Sequence, residues 1–223
     1  MEILIVKLNS SVYKIAMSVQ MVNRGRPKDR GKRDAILSAA VELFMTHGFA
    51  GTSMDSLASA ANVSKATLYS HFADKDTLYR AIIEGKVKDY RLQDFSERLS
   101  GDMAHDLHLI ACSLQDLVFD EDAIRMMRMV IAETQQQSPI VELFDEAGPN
   151  QVFSRIADYF AACKARGEKN LGCPKKEAET FTSLVMGHRR YLSTLMGVEK
   201  EPSRATRKAH AREAVGAFLK LKR

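Results

Sequence analysis

The chain has 223 residues, of which 45% are hydrophobic, which is enough to bury a core in one large domain or in a small domain joined to a larger one. Its 12 glycines and 5 prolines are few for a turn-rich β fold and favour long helices. The formal net charge is +5, and no apolar run approaches the roughly 18 residues of a transmembrane helix, so no membrane span is predicted.

The positive charge lies near the N-terminus. Residues 24–33, RGRPKDRGKR, contain six basic residues and one acidic residue, so this stretch carries +5, whereas 20 basic residues balance 19 acidic ones from residue 91 onward. A basic end on a nearly neutral remainder indicates a polyanionic partner for that end, with a solvated tail as the alternative. Because residues 24–33 lack an apolar anchor, we expect them to be disordered without that partner. We expect residues 1–20 to add nothing to the fold.

The first two predicted helices follow this basic stretch. Apolar residues recur at helical spacing over residues 33–47, and Gly48 ends that helix. Thr52 opens the sequence TSMD, which is a capping-box start because Asp55 follows three residues later. A short second helix to about Ala61 is therefore predicted.

Two further helices complete this region. Ser64 is predicted to cap a helix over residues 65–72, and Asp74 is predicted to cap another over residues 75–90. Two short helices joined by a tight turn, preceded by a longer helix, form a helix-turn-helix unit.

The second helix of this unit has a dense polar face. Leu68 and Phe72 are four residues apart and are predicted to pack inward. Ala66 is small enough for a close approach, and the residues left to face outward are Lys65, Thr67, Tyr69, Ser70 and His71. A helix fits the major groove of DNA, where exposed donors and acceptors meet base edges and phosphates. The alternative is an ordinary amphipathic helix whose polar face is merely solvated.

Residues 35–83, AILSAAVELFMTHGFAGTSMDSLASAANVSKATLYSHFADKDTLYRAII, resemble the DNA-binding domain of the TetR/AcrR family of bacterial transcriptional regulators. The matching pieces are ELF…HGF…TS, LASAANVS and TLYSHFADKDTLY. The resemblance implies a DNA-binding domain over residues 33–80 and a helical ligand-binding and dimerisation domain over residues 81–223. Residues 1–32 are then a flexible basic arm.

The resemblance also implies which residues contact DNA, namely Thr52, Ser53, Lys65, Ala66, Thr67, Tyr69, His71 and Lys75. Thr52 and Ser53 at a helix start, together with Lys75, are implied to contact phosphates. Other interpretations stay open, since Thr52 and Asp74 could be caps alone and Tyr69 could belong partly to the core.

The arm offers a second DNA contact. Residues 24–27, RGRP, resemble the core of an AT-hook. We expect Arg24 and Arg26 to enter a narrow A·T-rich minor groove, where Gly25 lets the backbone lie close.

The remaining chain is predicted to be helical over residues 102–119, 121–136, 139–147, 151–165, 176–196 and 205–220. The stretch VIAETQQQSPIVELFDEAGP resembles the C-terminal domain of AefR-like family members. We expect the last two helices to pair with their copies in a homodimeric four-helix bundle. The apolar residues assigned to that interface are Phe181, Leu184, Val185, Leu192, Leu195, Ala214, Phe218 and Leu221.

An apolar effector site is expected in this larger half. Its candidate residues are Met126, Met127, Met129, Phe153, Tyr159 and Phe160, because methionine adapts to varied ligand shapes. Ordinary core packing is the alternative for each of them.

No catalytic motif, cofactor site or metal site is predicted. The sequence lacks a P-loop, a dinucleotide fingerprint and a nucleophile elbow. Asp102, His105, Asp106 and His108 could share a helix face and bind a metal, but no further ligand is indicated and a solvated polar face explains them. The three cysteines are widely spaced without a CxxC pair, which predicts reduced thiols in a cytoplasmic protein.

These observations predict an all-α DNA-binding transcriptional regulator, not an enzyme. It is expected to be a homodimeric repressor that a small molecule releases from its operator. The alternative is a non-specific or architectural DNA-binding protein driven by the basic arm.

Overall fold

A computed structural model of the chain describes residues 27–92, 100–134 and 138–222. These residues form eleven α-helices and no strand, which confirms the predicted all-α fold. In chain order the helices are α1 Pro27–His47, α2 Met54–Ala60, α3 Lys65–His71, α4 Lys75–Asp89, α5 Met103–Val118, α6 Glu121–Glu133, α7 Ile140–Ala147, α8 Pro149–Ala165, α9 Pro174–Met186, α10 His188–Leu195 and α11 Arg204–Lys220.

Helix α1 begins at Pro27 and not at residue 33 as predicted. Proline is favourable in the first helical turn because an N–H there has no helical acceptor, and the basic residues that follow have good helix propensity. The expected disorder of residues 24–33 is therefore wrong from residue 27 onward, and the arm predicted over residues 1–32 overlaps α1. Residues 1–26 lie outside the described residues.

The N-cap of α2 is Ser53, one residue after the predicted start. The Ser53 hydroxyl oxygen accepts a hydrogen bond from the Ser56 backbone amide at 3.1 Å, and the Ser56 hydroxyl oxygen accepts one from the Ser53 amide at 3.1 Å. The predicted box of Thr52 with Asp55 is wrong, because the Thr52 hydroxyl instead donates to the Gly48 carbonyl at 2.8 Å.

The caps predicted for the next two helices are confirmed. The Ser64 hydroxyl oxygen accepts a hydrogen bond from the Thr67 amide, and an Asp74 carboxylate oxygen accepts one from the Thr77 amide. Each bond satisfies an amide that has no partner within its own helix, so both helix starts are fixed locally.

One hydrophobic cluster holds α1 to α4 together and continues into α6 and α7. Leu57 of α2 and Leu68 of α3 are fully buried in it. The rings of Phe44, Phe49 and Tyr79 pack against one another with centroids 5.4 to 5.8 Å apart. The helix-turn-helix unit is therefore packed directly on the larger half of the chain.

A second cluster lies among α5, α8, α9 and α11. Phe160, Phe181 and Phe218 are fully buried at its centre, with ring centroids 5.3 to 6.0 Å apart. Burying each such ring contributes roughly 1.5–3 kcal/mol. Phe181 and Phe218 thus fill the core of one chain, and their assignment to a subunit interface is wrong.

The helix predicted over residues 176–196 is broken in two at Gly187, which has a φ of +60°. The His210 ring of α11 packs against this glycine and its Nε2 lies 3.1 Å from the carbonyl oxygens of Leu184 and Val185. These carbonyls lie at the end of α9, where helical partners are missing, and both accept from the histidine N–H. The Val185 carbonyl also accepts from the Gln115 side-chain amide. The break therefore combines a glycine in the left-handed region with a contact from a distant helix.

Candidate nucleic-acid interface and apolar cavity

Helix α3 presents the polar face that the sequence predicts. Leu68 is fully buried and Phe72, the C-cap, is 2% exposed, while 51% of Tyr69 is exposed. Lys65, Ala66 and Ser70 are exposed as well, and Thr67 and His71 are half-buried. The inward positions of Leu68 and Phe72 are confirmed, and so is the exposure of Lys65, Tyr69 and Ser70, whereas Thr67 and His71 are only partly exposed.

Two interactions order this face. The Lys65 ammonium forms a 2.7 Å ion pair with Asp55 of α2, and this carboxylate raises the pKa of Lys65. The Thr67 and Ser64 hydroxyl oxygens are 2.9 Å apart in the first turn of α3. Ser53, predicted as a phosphate contact, is exposed at the start of α2. The amino ends of α2 and α3 are therefore linked by the ion pair.

Thr52 does not share this surface. Its side chain is 2% exposed, and its hydroxyl donates to the Gly48 carbonyl at 2.8 Å and faces the Leu43 carbonyl at 3.3 Å. The hydroxyl closes the turn after α1 and is not presented to solvent. Thr52 is therefore neither the predicted phosphate contact nor the helix cap that the alternative interpretation held, because its buried hydroxyl bonds within the turn and Ser53 is the N-cap.

The Lys75 side chain also forms its hydrogen bonds within the chain. Its ammonium donates to the backbone carbonyls of Phe49 at 2.6 Å and Thr52 at 2.8 Å, and it lies 4.3 Å from the centre of the Phe49 ring. Burial lowers the pKa of this lysine. Lys75 thus ties the start of α4 to the turn before α2. The predicted arm contacts Arg24 and Arg26 lie outside the described residues.

Helix α4 connects the helix-turn-helix unit to the larger half. Its Lys86 forms ion pairs with Asp120 at 2.6 Å and Asp122 at 3.1 Å, at the start of α6. Burial opposes the charge on Lys86, but the hydrogen bonds and charges of the two carboxylates outweigh it and raise the pKa of the lysine. Tyr90 donates to Asp120 at 2.6 Å, so α4 and α6 are joined at one end by a polar network.

An apolar cavity of about 290 Å³ lies beside this network. Among the predicted effector residues, Met126, Met127 and Phe153 line it. The other lining residues are Ile83, Lys86, Val87, Leu114, Leu117, Val118, Ala123, Phe144, Gly148, Pro149, Val152, Thr182, Met186 and Tyr191. Side chains from α4 and from the larger half therefore share one cavity.

Three predicted effector residues lie elsewhere. Met129 packs against the first hydrophobic cluster, and Phe160 is fully buried among the rings of the second. Tyr159 is 4% exposed, and its hydroxyl lies 3.4 Å from a carboxylate oxygen of Asp106. These three residues are core residues, as the alternative interpretation held.

The cavity includes polar residues that the sequence analysis missed. Lys86 follows Ile82 and Ile83 at helical spacing, and a lysine on an otherwise apolar face was the available signal. Thr182 and Tyr191 carry no comparable local signal, because they reach the cavity only through the fold.

The candidate metal residues are used structurally. Asp106 is fully buried and accepts hydrogen bonds from the Ser100 amide at 2.8 Å and hydroxyl at 2.9 Å. Asp102 is the N-cap of α5. Among the described residues, no group of three or more side chains could hold a metal ion. No helix in the described ranges is long and apolar enough to cross a membrane.

Comparison with known families decides the identity of the chain. The sequence model of the bacterial regulatory proteins of the tetR family matches residues 36–82. The model of the AefR-like transcriptional repressor C-terminal domain matches residues 105–221, which is more than half of the chain. The chain belongs to the TetR family. TetR-family proteins are transcriptional regulators, so this chain is a DNA-binding regulator and not an enzyme, as the sequence predicted.

Individual TetR-family relatives agree with this assignment. The HTH-type transcriptional regulator YvkB of Bacillus subtilis (strain 168) is 27% identical over 154 residues, which cover 69% of this chain and 78% of YvkB. A TetR transcriptional regulator from Agrobacterium tumefaciens superposes with a TM-score of 0.68 at 26% identity, covering 85% of this chain and 93% of that one. The Flavonoid-responsive Regulator FrrA has a TM-score of 0.65 at 27% identity, with coverages of 85% and 95%.

Proposed function

We propose that this TetR-family protein is a homodimeric repressor that binds a palindromic operator and leaves it when a small molecule enters the apolar cavity. Its match to the AefR-like repressor domain supports repression. We also propose a DNA-binding domain over residues 33–80, extended toward Pro27 by α1, and a ligand-binding and dimerisation domain over residues 81–223. The cytoplasm, where the operator DNA lies, is the proposed location.

The observation that carries this proposal is the exposed polar face of α3. Its members, with the exposed start of α2, are the proposed DNA contacts: Ser53, Lys65, Ala66, Thr67, Tyr69, Ser70 and His71. In this role α3 is the recognition helix, which can enter the major groove while α2, the helix before it, crosses the phosphate backbone. Thr52 and Lys75 are proposed to act indirectly, by fixing the turn that positions α2.

Dimerisation is proposed to use the end of the chain. Leu192, Met196 and Val198, in α10 and just after it, are 38 to 74% exposed, and we call these three residues the apolar end patch. Large apolar side chains clustered on a surface mark a protein contact. A dimer must place its two recognition helices about 34–36 Å apart to read two half-sites one DNA turn apart.

Release is proposed to follow from the position of the cavity. Ile83, Lys86 and Val87 of α4 form part of its wall, and α4 begins directly after the recognition helix. A small molecule can bind more tightly to a dimer conformation in which the recognition helices have the wrong spacing. It then lowers operator affinity by the difference between its binding free energies for the two conformations.

The test uses an operator recovered from genomic DNA fragments bound by the protein. Operator affinity is measured by fluorescence anisotropy at one salt concentration, with and without a panel of apolar small molecules that includes flavonoids, because FrrA is flavonoid-responsive. Met127→Trp should fill the cavity and abolish release while operator binding persists. Release that is equally strong in Met127→Trp would contradict the proposed site.

The basic arm is proposed to follow the phosphate backbone and to place Arg24 and Arg26 in an A·T-rich minor groove beside the operator. Arg24→Gln with Arg26→Gln should reduce the slope of log affinity against log salt by up to about two, one for each lost phosphate contact. An unchanged slope would favour the solvated tail.

A further inference from the structure

A second cavity of about 290 Å³, which we call the basic cleft, adjoins the apolar cavity. Met186 lines both of them. Phe119 of the basic cleft packs edge-on against Tyr191 of the apolar cavity, with ring centroids 6.0 Å apart. The two cavities therefore share a wall made of one methionine and one aromatic pair.

The basic cleft has unpaired positive charge. Arg189 and Arg190 line it from the first turn of α10, and within the described parts of the chain neither forms an ion pair. Glu199 is the one acidic residue among the described residues that line the cleft, so two guanidinium groups face one carboxylate. Cations at the start of a helix also oppose its dipole, and an anion bound there would relieve that repulsion.

The apolar cavity, in contrast, has no cation to offer a ligand. Lys86 is the one charged residue among its described lining residues, and it is neutralised by Asp120 at 2.6 Å and Asp122 at 3.1 Å. An anionic group in this cavity would be buried without a partner, which is costly. The charged end of an anionic ligand therefore fits the basic cleft and not the apolar cavity.

Arg128 connects a helix of the apolar cavity to a helix of the basic cleft. This α6 residue donates from Nε to the Leu195 carbonyl at 2.7 Å and from Nη2 to the Thr194 carbonyl at 2.8 Å, at the end of α10. Helix α6 also carries Met126 and Met127 of the apolar cavity. These two hydrogen bonds therefore connect α10, which carries Arg189 and Arg190, to α6, which lines the apolar cavity.

We propose that the effector is an amphipathic organic anion, with its apolar body in the apolar cavity and its carboxylate or other anionic group at Arg189 and Arg190. This inference rests on the proposed function, because it names the chemical class of the ligand that controls operator binding. Met186 is the movable part of the shared wall, since its unbranched side chain adopts many shapes.

The test compares dodecanoate with 1-dodecanol, which have the same chain length and differ in charge. Dissociation constants for both are measured by titration calorimetry on the full-length protein. Arg189→Gln with Arg190→Gln should weaken dodecanoate binding about tenfold, the loss expected for a charge-assisted hydrogen bond, and leave 1-dodecanol unchanged. Glu199→Gln should strengthen dodecanoate binding, and Lys175→Gln with Lys176→Gln, which removes two exposed charges elsewhere, should change neither ligand.

Equal dodecanoate affinity in the wild type and the arginine double variant, including no binding by either, would overturn the proposal. An equal loss of both ligands would do so as well. A changed oligomeric state with unchanged dodecanoate affinity would assign the arginines to a subunit contact instead. Operator release is measured separately, so dodecanoate that binds through the arginines without releasing DNA would contradict the proposed function and leave this site standing.

Discussion

The outward side chains of α3 are the residues on which operator affinity should depend most. Thr67→Ala and Tyr69→Ala should each weaken operator binding about tenfold or more, the usual loss for a DNA-contacting side chain, without changing the melting temperature. Thr180→Ala, a helical threonine whose hydroxyl bonds only the Lys176 backbone carbonyl, is the matched control. Gel shifts at one salt concentration give the affinities, and wild-type affinity in both variants would remove α3 from the interface.

A different result is expected for Lys75, because its ammonium donates hydrogen bonds to backbone carbonyls within the chain. Lys75→Ala should lower the free energy of unfolding by about 1–3 kcal/mol, since the carbonyls of Phe49 and Thr52 lose a charged donor. Lys65→Ala removes an exposed ion pair that solvent screens, so it should leave the melting temperature almost unchanged. Thermal unfolding measures both. An unchanged melting temperature for Lys75→Ala, together with weaker binding to all DNA sequences, would restore Lys75 as a direct phosphate contact.

These residues show what the sequence could predict at this scale. The caps Ser64 and Asp74 were predictable because each bonds an amide three residues away. Lys75 was not, because its carbonyl partners lie 26 and 23 positions earlier in the chain. A cap depends only on residues three positions apart in the sequence, whereas the Lys75 hydrogen bonds exist only once the turn between α1 and α2 has folded against α4.

Among the helices, the break between α9 and α10 depends on one glycine. Gly187→Ala should destabilise the protein by roughly 1–3 kcal/mol, because the residue has a φ of +60° and a Cβ would lie 2.7 Å from His210 Nε2. Gly216→Ala is the control, since it lies within α11 with no atom near its Cβ position and should be neutral or stabilising by up to about 1 kcal/mol. Denaturant unfolding measures both changes.

A partial rescue should follow if the ring causes the clash. His210→Ala combined with Gly187→Ala should destabilise less than the sum of the two single changes. Strict additivity would mean that backbone strain alone accounts for the cost, and equal stability of Gly187→Ala and Gly216→Ala would contradict the whole account of the break.

Helical periodicity predicted the presence of most helices but not all of their ends. The helices α5, α7 and α11 lie within one residue of their predicted ranges, because caps and breakers mark them. The hydrophobic periodicity continues across Gly187, so the sequence predicts one helix over residues 176–196. The contact between His210 and Gly187 appears only in the structure. The early start of α1 at Pro27 was missed because the basic residues there have no apolar pattern.

For the whole molecule, the exposed apolar end patch and not the buried core should hold the dimer. Leu192→Asp and Met196→Asp should each favour monomers, because they place a charge on the exposed patch. Ile131→Asp, at a residue 49% exposed on α6, is the matched control and should stay dimeric. Light scattering reports the mass, and a full dimer in both patch variants would contradict the proposed interface. Phe218→Asp should unfold the chain, since this ring is fully buried.

The cavity was only partly predictable from the sequence. Met126, Met127 and Phe153 were predicted and line it, whereas Met129, Tyr159 and Phe160 face the core. Hydrophobic spacing identifies the buried side of a helix but does not distinguish a packed side chain from one beside an empty volume. That difference arises from how α4, α6, α8 and α9 meet.

The central claim is that α3 reads a specific operator. The most direct measurement is the ratio of dissociation constants for the recovered palindromic operator and for a scrambled duplex of equal length, at one physiological salt concentration. We expect the operator to bind at least about 10³-fold more tightly, and the Thr67→Ala and Tyr69→Ala double variant to lose most of that ratio. A ratio near one in the wild type, with binding that depends on salt alone, would contradict the claim and support the non-specific DNA-binding alternative.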